Sequence, residues 1–118
     1  MNFPYTINKD ERRTIHDFAS GDFKQVKVVY VTEEIAIGNH YHRNKDEVFF
    51  LATGKFLELQ VGNTLLFNVD APYRIEVPKL TYHRFVCEKG SILIGAATEL
   101  HDDEDEIKTD KPIINEYH

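Results

Sequence analysis

The chain has 118 residues, of which 42% are hydrophobic and 29% charged, proportions that are ordinary for one folded domain. Its net charge of −6, from 14 basic and 20 acidic residues without a Lys/Arg cluster, argues against nucleic acids and anionic membranes as partners. The sequence carries no signal-peptide pattern and no apolar stretch of the about 18 residues that a membrane helix needs. With a single cysteine, Cys87, it predicts a cytoplasmic protein without an intrachain disulfide.

The first clear strand signal begins after residue 24, because residues 10–21 have mixed periodicity and fit either a short strand or a helical turn. Short β-branched and apolar runs then recur about every 8 to 12 positions, separated by turn residues, as in a β-sandwich or barrel. No stretch shows a convincing helical period of 3.6 residues. The predicted strands lie at 25–32, 34–38, 47–53, 55–61, 64–69, 74–77, 83–87 and 90–97.

This succession of short strands indicates a single all-β domain, residues 1–118, with a jelly-roll core at about 24–98 and a tail at 99–118. The runs on either side of Gly54 predict a hairpin that turns at that glycine. The acidic run 102–106 is interpreted as a solvated loop or tail. The apolar pair Ile113–Ile114 suggests that the tail packs on the body or on a second subunit.

The most informative residues are histidines and a glutamate around two predicted strands. His40 and His42 lie two positions apart, so on a strand both project into the barrel while Tyr41 points away. Polar turn residues let Glu47 begin the next strand close by, and His83 opens a later strand. Three imidazoles and one carboxylate suit zinc, iron, manganese, nickel or copper, with open positions for water or substrate.

The spacing of these residues resembles the first motif of the cupin superfamily. His40–x–His42–x₄–Glu47–x₆–Gly54 matches that motif throughout, and Gly38 precedes it. The resemblance implies an all-β, single-domain cupin jelly-roll barrel.

The second cupin motif, Pro–x–Gly–x–x–His in the family, is matched only in part. Pro78 and His83 are present, but Leu80 stands where the family has glycine. The departure concerns the turn before the strand, and the resemblance still implies His83 as a ligand.

Further segments are similar to small cupins that act on nucleotide-linked 4-keto sugars. Asp10–Glu11–Arg12–Arg13 resembles an Asp–x–Arg–Gly pattern common near their start, with arginine in the place of glycine. The strand at 23–31 is similar to that of thymidine-diphosphate-sugar 3,4-ketoisomerases. Residues 38–42, Lys45–Asp46–Glu47 and Ala97–Thr98–Glu99 are closer to the zinc-bearing cupin domain of bifunctional capsular-sugar epimerase/reductases.

These resemblances imply an epimerase or ketoisomerase that acts on a nucleotide-linked 4-keto sugar through an enolate. In this chemistry a base removes the hydrogen beside the ketone, and the proton returns at another face or carbon. His83 is the candidate base or metal-holding histidine, and Tyr41 and Tyr82 are candidate acids. The first choice of metal at His40, His42, Glu47 and His83 is zinc, with iron, manganese or nickel as alternatives.

Other features bear on partners and on rival functions. The apolar strand 26–31 offers more apolar surface than a small barrel buries, which predicts a homodimer.

An iron-dependent oxygenase-type cupin and a noncatalytic cupin that senses a small ligand stay open as alternatives. His16, His101 and His118 lie outside the motif pattern. Candidate partners for a diphosphate are Arg12, Arg74 and Arg84, although surface salt bridges explain most arginines.

Overall fold

The computed structural model describes residues 3–109, which form eleven β-strands and no helix. No helix in this part of the chain is therefore long and apolar enough to cross a membrane. The strands are β1 (Thr6–Lys9), β2 (Thr14–Asp17), β3 (Gln25–Tyr30), β4 (Ile37–His42), β5 (Glu47–Thr53), β6 (Lys55–Val61), β7 (Thr64–Asp70), β8 (Tyr73–Val77), β9 (His83–Cys87), β10 (Ile92–Ala97) and β11 (Glu106–Lys108).

Two antiparallel sheets form the body of the structure. One has four strands in the order β3-β10-β5-β8, and the other has five in the order β11-β4-β9-β6-β7. Buried side chains from both sheets, among them Phe49, Leu51, Phe56 and Phe85, form one core cluster. The all-β jelly-roll barrel that the cupin resemblance implies is therefore confirmed.

The N-terminal region left open by its sequence is a hairpin of β1 and β2. It packs on the outside of the four-stranded sheet, where the ring of Phe18 stacks on Phe50 at a centroid distance of 5.2 Å. Arg74 of β8 holds the hairpin ends, because its guanidinium donates hydrogen bonds to the carbonyl oxygens of Phe3 and Phe18.

The predicted hairpin at Gly54 is wrong. β5 belongs to the four-stranded sheet and β6 to the five-stranded sheet, so the chain crosses between sheets at this glycine. Gly54 has φ +95°, and a Cβ there would collide with the side chain of Ser91, so the position requires glycine. A glycine between two strand patterns indicates a sharp turn but not which sheet the next strand joins. The hairpin partner of β6 is β7, across Gly62–Asn63.

The predicted strand at 34–38 begins too early. The ladder starts at Ile37 and continues through His42, so the motif histidines lie inside the strand and not after it. Residues 34–36 precede the strand, since neither β9 nor β11 pairs with them.

The interpretation of the acidic run as a solvated loop is wrong at its C-terminal end. Asp102, Asp103 and Glu104 are exposed, but Asp105 is only 6% exposed and Glu106 begins β11, which pairs with β4. The five-stranded sheet thus extends beyond the predicted core limit at residue 98. Ile113 and Ile114, on which the tail prediction depends, lie outside the described residues.

Candidate active site

Three histidines converge where β4 and β9 lie side by side in the five-stranded sheet. His40 is the register partner of His83, and His42 follows on the same face of β4. The ring centroid of His40 lies 4.7 Å from that of His42 and 4.4 Å from that of His83. One nitrogen of each ring lies within 4.8 Å of the others, and these three residues are called the histidine cluster below.

Glu47 approaches the histidine cluster from the opposite sheet, where it is the first residue of β5. Its side chain is 2% exposed, with Oε1 3.1 Å from His42 Nε2 and Oε2 3.8 Å from Lys27 Nζ. Burial alone would raise the pKa of Glu47, but the imidazoles of His42 and His83 and the Lys27 ammonium outweigh it and lower that pKa. The carboxylate is therefore ionised, as a metal ligand must be.

Gly38 lets the strand that carries His40 approach the strand that carries His83. Its φ is +104°, and a Cβ at this position would lie 2.5 Å from the carbonyl oxygen of His83. The glycine that precedes the first motif thus serves close backbone packing beside the histidine cluster.

The turn before His83 has Leu80 in a backbone conformation that favours glycine. Leu80 adopts φ +65°, in the left-handed region that glycine favours, at a cost of about 1–2 kcal/mol for a residue with a Cβ. Its backbone N–H donates a hydrogen bond of 2.6 Å to the carbonyl oxygen of His42. This contact ties the second motif to the first and offsets part of the strain.

Burial affects the charge of two of these histidines, His83 and His40. It lowers the pKa of His83 to about 3, so this imidazole is neutral near pH 7. Burial also lowers the pKa of His40, although the carboxylate of Glu106 opposes that shift. Neutral imidazoles carry the lone pair that coordination or proton abstraction requires.

Three buried polar atoms at this site form no hydrogen bond of acceptable geometry among the described residues: His42 Nδ1, Glu47 Oε1 and His83 Nδ1. Two of them lie close to ion-pair partners, since Glu47 Oε1 is 3.1 Å from His42 Nε2 and His42 Nδ1 is 3.4 Å from Asp105 Oδ2. Buried polar groups are nearly always satisfied in native proteins, so such atoms side by side need an explanation. Ionised Glu47 and neutral imidazoles are also the donor set that transition metals take. The residues present therefore fit a metal ion.

Two carboxylates that the sequence reasoning missed flank the cluster, one from the first residue of β11 and one from the residue just before it. Glu106 Oε1 lies 2.6 Å from His40 Nδ1, and Asp105 Oδ2 lies 3.4 Å from His42 Nδ1. The only sequence signal for them is the alternation Glu106–Ile107–Lys108, which is too short to indicate a strand without its partner.

The two candidate tyrosine acids lie away from the inward face that carries the histidine cluster. Tyr41 pairs with Ile107 on the opposite face of β4 from its histidine neighbours. Tyr82 is 2% exposed, and its hydroxyl donates a 3.0 Å hydrogen bond to Asn39 Oδ1. It lines an open cavity of about 790 Å³ with Arg84 and Lys108, and no member of the histidine cluster lines that cavity.

The histidines outside the motif and the candidate arginines form local hydrogen bonds and salt bridges where the structure describes them. His16 forms a 2.9 Å hydrogen bond with the Tyr5 hydroxyl, and exposed His101 lies 2.7 Å from Asp103. His118 lies outside the described residues. Each candidate arginine forms a salt bridge, with pairs Arg12–Asp10, Arg74–Glu76 and Arg84–Glu58 at 3.0, 2.9 and 2.6 Å.

The sequence matches no protein-family model and no curated protein. Solved structures do match. A mutant of the 3,4-ketoisomerase QdtA from Thermoanaerobacterium thermosaccharolyticum, in complex with TDP-4-keto-6-deoxyglucose, is 17% identical, with a TM-score of 0.72 over 91% of this chain and 85% of its own. The TDP-quinovose 3,4-ketoisomerase WlaRB from Campylobacter jejuni is 17% identical, with a TM-score of 0.74 over 89% and 88%.

The capsular polysaccharide assembling protein CapF from Staphylococcus aureus is also similar, at 21% identity and a TM-score of 0.64. The match covers 93% of this chain but 34% of CapF, so the chain spans about a third of that protein. At these identities the likenesses show a shared fold.

Proposed function

We propose that this protein is a sugar-nucleotide isomerase or epimerase that moves a proton beside the ketone of a nucleotide-linked 4-keto sugar. The observation that carries the proposal is the histidine cluster with ionised Glu47 inside a jelly-roll barrel. The likeness in fold to 3,4-ketoisomerases, one of them in complex with TDP-4-keto-6-deoxyglucose, supports this substrate class.

The ligands of a divalent transition metal would be His40, His42, Glu47 and His83, with zinc as the first choice and iron, manganese or nickel as alternatives. When bound, such an ion would polarise the ketone oxygen and stabilise the charge of the enolate. The three buried atoms at these residues that form no well-aligned hydrogen bond support the assignment.

The chain's own residues would supply orientation, a dry environment and proton transfer. Phe49 and Phe85 pack against His83 at ring distances of 5.9 and 5.3 Å and exclude water from its inner side. A pKa of about 3 makes His83 a weak base, so it suits coordination better than proton abstraction. In a metal-free site the base would be His40 or His42. Tyr41 and Tyr82, the acids suggested by the sequence, lie away from the histidine cluster and have no part in this proposal.

Hydrogen exchange in heavy water tests the proposal. With TDP-4-keto-6-deoxyglucose we expect the folded, metal-loaded protein to exchange the hydrogen beside the ketone, because enolate formation precedes both isomerisation and epimerisation. The His83→Ala variant should exchange at least about a hundredfold more slowly. The His16→Ala variant is the control, since His16 lies on the outer hairpin, and it should retain the wild-type rate.

Failure of thymidine- and uridine-linked 4-keto sugars to exchange above the uncatalysed rate would contradict the proposal. Oxygen uptake by an iron-loaded sample would then favour the oxygenase alternative, and ligand binding without turnover would favour the sensor.

We further propose a homodimer. Val26, Val28 and Tyr30 of the edge strand β3 are 65%, 50% and 70% exposed, an apolar row that a second copy would cover. Sedimentation at micromolar concentration should give about twice the chain mass of 13.7 kDa, and a single species of 13.7 kDa would contradict the proposal.

A further inference from the structure

The contact between Glu106 and His40 joins the acidic end of the described chain to the histidine cluster. β11 runs along the free edge of β4, with Glu106 opposite His42 and Lys108 opposite His40. The side chains of His40 and Glu106 are only 14% and 16% exposed, and His40 Nδ1 lies 2.6 Å from Glu106 Oε1. This carboxylate contacts a member of the cluster without belonging to it.

The distance determines where the imidazole proton lies. Two lone pairs at 2.6 Å would repel, so a proton lies between the two atoms. An imidazole is ordinarily a stronger base than a carboxylate, and the proton therefore resides on Nδ1 of His40. A neutral imidazole has one ring proton, and Nε2 of His40 therefore keeps its lone pair. Carboxylates that accept the second ring N–H of a ligand histidine set its tautomer and ring orientation in metal sites.

We propose that Glu106 is a positioning residue that holds the proton of His40 on Nδ1 and so leaves Nε2 available to the histidine cluster. The inference rests on the proposed function, because it states how the same site is prepared for coordination or proton transfer. Glu106 acts through His40 and does not itself contact the reacting atoms.

The neighbouring residues hold Glu106 in this position. Asp105 Oδ1 accepts hydrogen bonds from the backbone N–H groups of Arg43 and Asn44 at 3.0 and 2.7 Å, at the turn where β4 ends. Beyond the other end of β11, the N–H of Thr109 donates a 2.8 Å hydrogen bond to the carbonyl oxygen of Asn39. β11 is thus fastened to β4 on both sides of Glu106.

The tautomer of His40 can be measured directly, without substrate or metal. In a long-range proton–nitrogen correlation spectrum of the ¹⁵N-labelled, metal-free protein at pH 8.5, we expect His40 to carry its proton on Nδ1. The Glu106→Ala variant should shift the population toward the Nε2–H form. The Glu106→Gln variant should restore the Nδ1–H form, because its amide oxygen still accepts the hydrogen bond.

Asp103→Ala is the matched control, because Asp103 is a carboxylate of the same acidic run whose partner is exposed His101. It should leave the His40 spectrum unchanged. In the metal-loaded protein, Glu106→Ala should lower zinc affinity and the exchange rate about 10- to 100-fold, with recovery in Glu106→Gln.

An Nε2–H tautomer of His40 in the wild-type protein would overturn the inference, and this result does not depend on the variants folding. An unchanged tautomer in folded Glu106→Ala would overturn it as well. Absence of hydrogen exchange in the wild-type protein would instead reject the proposed function, and the tautomer measurement would still decide the role of Glu106.

Discussion

The two ends of the barrel interior are equally buried but differ in their polar chemistry. Along β9 the inward residues are His83, Phe85 and Cys87, all 2% exposed or less. At the His83 end, buried nitrogen and oxygen atoms have no hydrogen-bond partner among the described residues, whereas the Phe85 and Cys87 end belongs to the hydrophobic cluster. Burial alone therefore does not distinguish a site from a core, and unsatisfied polar atoms do.

The same low-polarity interior shifts the pKa values at both ends. Burial raises the pKa of the Cys87 thiol to about 11 and lowers that of His83 to about 3. Each shift disfavours the charged form, a thiolate in one case and an imidazolium in the other. The apolar core that stabilises the barrel thus also keeps the imidazole of His83 neutral.

Removing one large side chain from the apolar end of the barrel should have the largest effect on stability. Phe56→Ala takes a fully buried ring from the core, and we expect the free energy of unfolding to fall by about 3–5 kcal/mol in urea titrations. Phe67→Ala, on the 58% exposed ring of β7, is the control and should change it by about 0.5 kcal/mol or less. Equal losses in the two variants would contradict the assignment of the core.

Removing a proposed metal ligand at the His83 end should change metal binding more than folding. His42→Ala deletes one of four proposed ligands, and we expect zinc affinity to fall at least about a hundredfold, since outer-shell partners alone contribute about 10- to 100-fold. Metal analysis after dialysis measures this effect in variants whose circular dichroism matches the wild type. His101→Ala should keep the wild-type metal content, and an equal loss there would argue against the site.

The smallest effect should come from adding polarity to the apolar end. Cys87→Ser and Cys87→Ala leave side chains of similar size, but the serine hydroxyl enters the hydrophobic cluster around Cys87. We expect the serine variant to be about 1–3 kcal/mol less stable than the alanine variant if that hydroxyl is left unpaired. Equal stabilities in urea titrations would mean that this end of the barrel tolerates polar groups as the His83 end does.

Local sequence signals predicted the parts of the molecule that depend on short-range geometry. The strands at 47–53, 55–61 and 83–87 are confirmed without a shift, because short runs rich in β-branched and aromatic residues, bounded by polar or turn residues, indicate strands directly. The two-residue period also placed His40 and His42 on one inward face.

Features that depend on a contact with a distant part of the chain were missed or misinterpreted from the sequence. Gly54 indicated a turn, but its crossing between sheets depends on Ser91, which lies 37 positions further along the chain. Glu106 looked like one member of a solvated acidic run, since its partner His40 is 66 positions away. Nothing within a few residues of either position distinguishes these outcomes.

The sequence by itself determined the strand periodicity, the turn positions and the identity of the histidine and glutamate side chains. These follow from steric preferences and from a two-residue repeat that acts over a few positions. Tertiary structure alone decided that Glu47 faces the cluster from the opposite sheet, that Tyr82 lies away from its inward face, and that Glu106 contacts His40. These contacts depend on which strands become neighbours, and that choice minimises exposed apolar area and unpaired backbone groups over the whole chain.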